Sequence, residues 1–92
     1  MQYKILFTKS AVKMLEKIDF PVQKLIRIKL DILSKDFNAL DNNLKQLKGE
    51  KNIYRLRVAD YRVIFEKRDS ELILLIIRIG HRKEVYFDVK AK

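Results

Sequence analysis

Apolar and polar residues alternate most regularly between Tyr54 and Phe65. Tyr54, Leu56 and Val58 face one way and Arg55 and Arg57 the other; then Tyr61, Val63 and Phe65 oppose Arg62, Ile64 and Glu66. That pattern predicts the two strands of a hairpin. Pairing them symmetrically about Ala59-Asp60 is the one register that gathers all six apolar residues on a single face, and it sets Arg57 opposite Arg62. Like charges there oppose sheet formation, so a guanidinium cluster in that place has the form of an anion site. A solvated basic face that keeps the chain in solution is the plainer alternative.

Periodicity organises the rest of the chain around this hairpin. Residues 2 to 7 alternate, with Tyr3, Ile5 and Phe7 against Gln2, Lys4 and Leu6, and predict a first strand. Thr8 can cap a short amphipathic helix over Lys9 to Ile18, whose apolar set is Ala11, Val12, Met14, Leu15 and Ile18. Asp19-Phe20-Pro21 closes it and opens a second helix to Phe37, with a wide stripe of Val22, Leu25, Ile26, Ile28, Leu30, Ile32, Leu33 and Phe37. A stripe that wide is expected to be core, lodged between a sheet and the first helix. Asn38 to Asn43 reads as a loop, and Leu44 to Lys48 as a segment tacked onto the sheet edge before a turn at Gly49.

A second turn at Asp69-Ser70, paired symmetrically, sets Arg68 against Glu71 and sends Leu72, Leu74 and Ile76 to the core, leaving Ile73, Leu75 and Ile77 on the arginine face. A strand apolar on both sides needs cover on its second face, from the C-terminal segment or a protein partner. Ile79 to Lys83 forms a basic turn, and Glu84 to Val89 alternates again as a last strand with Tyr86 turned from the core. The expected fold is α+β: two N-terminal helices packed on one face of a mostly antiparallel sheet of four to five strands, in one domain spanning 1–92.

Charge sharpens the picture. There are 21 Lys and Arg against 12 Asp and Glu, a formal charge of +9, which points to a polyanion or an acidic protein partner. Six of the seven arginines fall between Arg55 and Arg82, whereas lysines dominate the helical half. No cysteine is present, which fits a reducing cytoplasm and excludes disulfides and thiolate metal sites. The longest apolar run, residues 72 to 77, is far short of the roughly twenty residues that cross a bilayer.

The strings Leu47-Lys48-Gly49, Tyr54-Arg55-Leu56-Arg57, Asp60-Tyr61-Arg62-Val63-Ile64-Phe65 and Gly80-His81-Arg82-Lys83-Glu84-Val85-Tyr86 resemble, in order and spacing, the RelE branch of the RelE/ParE toxin superfamily. The resemblance covers nearly the whole chain. It implies a type II toxin that cleaves mRNA, in the best-known members on the ribosome, with a cognate antitoxin as partner, no metal or organic cofactor, and no need of a homo-oligomer. Metal-free cleavage uses the substrate's 2′-hydroxyl as nucleophile, and needs a proton acceptor, cations for the phosphorane-like dianion and a proton donor for the leaving 5′-oxygen. By resemblance, Arg55, Arg62 and Arg82 would neutralise the scissile phosphate with Arg57 flanking them. Arginine is a poor proton carrier, so proton transfer falls to His81, the one histidine, and to Tyr86. Lys51 and Lys83 are auxiliary candidates for the RNA backbone. The best-known ribosome-dependent members carry two alternating lysines on the first hairpin strand, where this chain has Ile53 and Arg55. Two other functions compete: inhibition of DNA gyrase, associated with the ParE branch, and non-catalytic RNA binding by an inactivated toxin.

Overall fold

The computed structural model describes residues 2–81; Arg82, Lys83, Tyr86 and the strand expected over 84–89 lie outside them. In chain order the elements are β1 (Lys4–Phe7), α1 (Lys9–Glu16), α2 (Phe20–Lys35), a 3-10 turn (Asp41–Asn43), β2 (Leu44–Gln46), β3 (Ile53–Val58), β4 (Tyr61–Arg68) and β5 (Ile73–His81). The five strands form one sheet in the order β1-β5-β4-β3-β2. Among the described strands only β1 and β5 run parallel, in the register Lys4 to Ile73 through Phe7 to Ile76. The α+β architecture expected from the pattern is the one observed, with both helices against one face.

The core lies between that face and the helices. Ala11, Leu15 and Ile18 from the α1 region and Ile26, Leu30 and Leu33 from α2 meet Leu56, Val58, Val63, Phe65, Leu74, Ile76 and Ile79. The expected wide stripe on α2 is thereby narrowed: Leu25 and Ile28 are exposed, Ile28 by 51 %. At 100° per residue, positions 26, 30 and 33 share a narrow face, position 25 falls to its side and position 28 lies nearly opposite it. α1 packs over β5 while α2 meets β1 and β3, so the two helices share the one sheet face.

The first hairpin has the predicted register, with Val58 paired to Tyr61, Arg57 to Arg62, Arg55 to Ile64 and Tyr54 to Phe65. Ala59 carries a φ of 55°, in the left-handed region that a tight two-residue hairpin turn demands of its first central residue. The second hairpin departs from expectation. Arg68 pairs with Ile73 rather than Glu71, because the turn takes four residues and Leu72 enters the left-handed region at φ 55°. Arg68 and Glu71 still meet as an ion pair, at 3.7 Å within the turn. A slip of two residues keeps every side chain on its face, so Leu74 and Ile76 are buried as expected.

Further along, a bulge breaks that parity. Phe65 pairs with Ile76 and Ile64 with Arg78, so Ile77 is an extra residue on β5. Its carbonyl accepts a hydrogen bond from the Thr8 hydroxyl at 3.3 Å, and the Ile79 N–H lies 3.4 Å from the Met14 sulfur. The same Thr8 oxygen accepts from Ala11 N at 3.1 Å as the cap of α1. One hydroxyl thus ties the helix start to the bulge. Thr8→Val, which keeps the shape and removes both bonds, is expected to cost about 1–2 kcal/mol; equal urea midpoints for variant and wild type would contradict this.

At the other end of the sheet, Tyr3, Phe37, Tyr54 and Phe65 form an aromatic cluster, and the Lys67 ammonium lies 4.5 Å from the Phe37 ring centroid. Tyr3 Oη donates to Asp69 Oδ1 at 2.5 Å, and Lys67 Nζ stands 3.2 Å from the same oxygen. The Tyr3 hydrogen bond, then that of Lys67, holds the Asp69 carboxyl below its ordinary value. The bond to Asp69 raises the Tyr3 phenol, with burial adding to it. Burial pulls Lys67 down, but its bond to Asp69 and the nearby Tyr3 outweigh that and raise it. Asp69 therefore contributes stability above about pH 4, lost as pH falls through its depressed pKa, while Tyr3 and Lys67 contribute below about pH 10 and lose it as pH rises through their raised values. Asp69→Asn is expected to flatten the acid limb of the Tm–pH profile. An acid limb as steep as in wild type would show that this carboxylate does not set it.

Candidate nucleic-acid interface

The face of the sheet away from the helices carries the predicted arginines, and the strand registers set them in two rows. Arg57, Arg62 and Gly80 lie side by side across β3, β4 and β5. In the next row Lys45, Arg55, Ile64 and Arg78 run across β2 to β5. Paired residues of an antiparallel sheet project to one side, so these cations share a face.

Where β2, β3 and β4 meet, the rows open into a cleft of about 190 Å³ lined by Asn42, Asn43, Leu44, Lys45, Arg55, Arg57 and Arg62. Among the described residues none that lines it is acidic. Arg57 donates to Asn43 Oδ1 at 3.1 Å and Arg62 to the Tyr61 carbonyl at 3.2 Å, so hydrogen bonds orient both guanidiniums. Arg55 and Arg62 are half-buried and Arg57 is exposed. Unit charges of like sign at about 4 Å repel by roughly 1 kcal/mol in water and several times that at a protein surface. An anion seated among them turns that repulsion into attraction, and planar guanidiniums can grip a phosphate by paired bonds.

The structure thus brings Arg55, Arg57 and Arg62 together. His81 is in the adjoining row, paired with Tyr61, and packs edge-on against that ring at 5.8 Å between centroids. Its row is the one that Tyr61 shares with the core face, so its imidazole is turned toward the helix side at the end of the sheet. Lys51 lines a separate depression formed by Gln46 to Lys51 around Gly49, apart from the arginine cleft. Arg82, Lys83 and Tyr86 are outside the described residues. Asn42, Asn43, Lys45 and Arg78 were not expected in this neighbourhood. Matching Leu44 to Leu56 would have placed Lys45 beside Arg55; Arg78 had no such signal, because strict alternation from Leu74 and Ile76 puts it in the core.

Residues 5–86 match the family of the ParE toxin of type II toxin–antitoxin systems, parDE. Toxin RelE3 of Methanocaldococcus jannaschii is 34% identical over 85 residues, covering 90% of this chain and 94% of that protein. Among solved structures, the archaeal RelE–RelB complex from Pyrococcus horikoshii superposes with a TM-score of 0.77 at 25% identity, covering 89% of this chain and 97% of that one. A mutant of the Escherichia coli toxin RelE in the free state gives a TM-score of 0.77 at 26% identity, over 94% of this chain and 92% of that one. The class defined by fold and relatives is the toxin of a type II toxin–antitoxin system. Within it, the chain belongs to the RelE/ParE toxin superfamily, among members named as RelE toxins. No helix among the described residues is long and apolar enough to cross a membrane.

Proposed function

We propose that this toxin is a metal-free endoribonuclease that cleaves mRNA on the ribosome, and that the cleft between β2, β3 and β4 receives the scissile phosphate. The observation that carries this reading is the convergence of Lys45, Arg55, Arg57 and Arg62 on one cleft whose lining holds no carboxylate among the described residues. In the proposed reaction a base takes the proton from the substrate's 2′-hydroxyl and the resulting oxygen attacks phosphorus. Arg55 and Arg62, joined by Arg82, neutralise the pentacoordinate dianion while Arg57 holds the flank. The 5′-oxygen then leaves with a proton from an acid, giving a 2′,3′-cyclic phosphate. His81 and Tyr86 are the two proton carriers in this scheme; because the His81 ring turns to the helix side beside Tyr61, the scheme requires the RNA to pass over that end of the sheet for the imidazole to reach it. Lys51 and Lys83 hold RNA backbone away from the cut.

The relative from Pyrococcus horikoshii was solved as a RelE–RelB complex, and we extend an antitoxin partner to this chain. Leu6, 39% exposed, together with the half-buried Ile73 and Leu75, offers an apolar strip beside the arginine rows. An extended antitoxin segment with acidic and apolar residues fits that combination.

The ParE name of the matching family favours a second reading, inhibition of DNA gyrase. Primer extension on a reporter transcript after brief induction separates the two. Wild type is expected to produce cuts within translated codons that disappear in Arg82→Ala and weaken in His81→Ala, without DNA breaks. Intact transcripts accompanied by stalled gyrase complexes would replace the nuclease reading with the gyrase one.

A further inference from the structure

We propose that Arg78 binds a second phosphate of the RNA, next to the one in the cleft, and that the one-residue bulge at Ile77 is what creates this subsite. The inference rests on the ribonuclease reading and extends it from one phosphate to the path of the strand. Had β5 alternated without interruption, Arg78 would follow Leu74 and Ile76 into the core. The bulge instead pairs it with Ile64, whose other partner is Arg55. Ile64 is 3% exposed although it points away from the helices. It forms the floor between two arginines, whose aliphatic stems can cover it.

With strands about 4.8 Å apart, Arg55 and Arg78 leave the sheet about 10 Å from each other, on either side of that floor. That separation suits neighbouring phosphodiesters better than a single one. Lys45 continues the same row on the far side of Arg55. The row therefore describes a track across the sheet from the β2 edge to β5, passing the cleft. Among the described residues, Glu66 stands one row further along β4 on this face and pairs with Arg68 at 2.9 Å. A bulge that merely exported a charge from the core would leave RNA binding indifferent to Arg78; a phosphate subsite would not.

The test is binding of a fully 2′-O-methylated single-stranded RNA, which cannot be cleaved, to the purified full chain across a salt series. Each phosphate contact to a single strand contributes about −0.7 to the slope of log K against log salt. Arg78→Gln is expected to reduce the slope by about 0.7 and to weaken binding several-fold, and Arg78→Lys to restore the slope. Thermal melting of each variant checks folding. An unchanged slope in folded Arg78→Gln would overturn the subsite while leaving the ribonuclease reading in place. Failure of wild type to bind RNA at low salt would overturn both. If Arg78→Gln alters the binding of an oligoglutamate peptide and not of RNA, the row serves an acidic protein segment and the RNA assignment is wrong.

Discussion

Arg62→Ala is expected to slow single-turnover RNA cleavage by about 100- to 1000-fold, the range seen when one preorganised donor to a developing oxyanion is removed. Arg62 is half-buried, lines the cleft and is held by its bond to the Tyr61 carbonyl. Its guanidinium is thus oriented before substrate arrives, and little reorganisation remains for the reaction step. Its cross-strand neighbour is Arg57, so the substitution also relieves a like-charge pair. The variant should melt at the same temperature as wild type or slightly above. Loss of activity without loss of stability distinguishes a functional arginine from a structural one, and a rate within about threefold of wild type would remove Arg62 from the site.

The second large effect concerns stability. Phe65 is fully buried at the centre of β4, with its ring stacked on Tyr54 at 5.7 Å and edge-on to Phe37 at 6.1 Å. Phe65→Ala removes a ring from a packed interior and is expected to cost about 3–5 kcal/mol. Against a total stability of about 5–15 kcal/mol for a domain of this kind, that approaches the whole margin. The melting temperature should fall by more than about 10 °C, and by much less in Phe65→Leu, which keeps most of the volume. A drop of only a degree or two for the alanine variant would mean that the aromatic cluster closes over the vacancy. Phe65, paired with Ile76, stands directly beside the register shift between Ile64 and Phe65, so part of the penalty is expected as disorder in β5.

The first hairpin was legible in the sequence because two constraints agreed. Its apolar residues alternate without a break, and only a two-residue turn at Ala59-Asp60 puts them on one face. The anion cleft followed directly, since Arg55, Arg57 and Arg62 occupy the alternate positions. The second hairpin gave no such agreement. Leu72 adopts a left-handed conformation without glycine or asparagine to announce it, and Asp69-Ser70 offers an equally plausible tighter turn. The bulge is less visible still, because it is secured from outside the strand by Thr8 and Met14 on the first helix and its cap. Alternation assumes that a strand's faces are set by that strand alone. Here a hydroxyl some 69 positions away decides where Arg78 goes.

On the helical side, hydrophobicity overstated burial. Leu25 and Ile28 were grouped with Ile26 and Leu30 by hydrophobicity, but at helical spacing Leu25 falls to the side of the buried face and Ile28 nearly opposite it, and both are exposed. His81 shows a related limit: its place in the Gly-His-Arg string suggested company with the arginines, whereas the register puts it with Tyr61. A one-position difference along a strand reverses the side from which an imidazole is seen. Motif spacing does not carry that information.

The pairing of Lys4 with Ile73 has a consequence for the making of the protein. β1 finds its parallel neighbour only after nearly seventy further residues have been made. At about 5–20 residues per second, the nascent chain spends several seconds with its opening strand unseated. The arginine rows likewise need β5 before they span the sheet. On the nuclease reading, the track across the sheet is incomplete until β5 is made, and an antitoxin has those seconds to be in place.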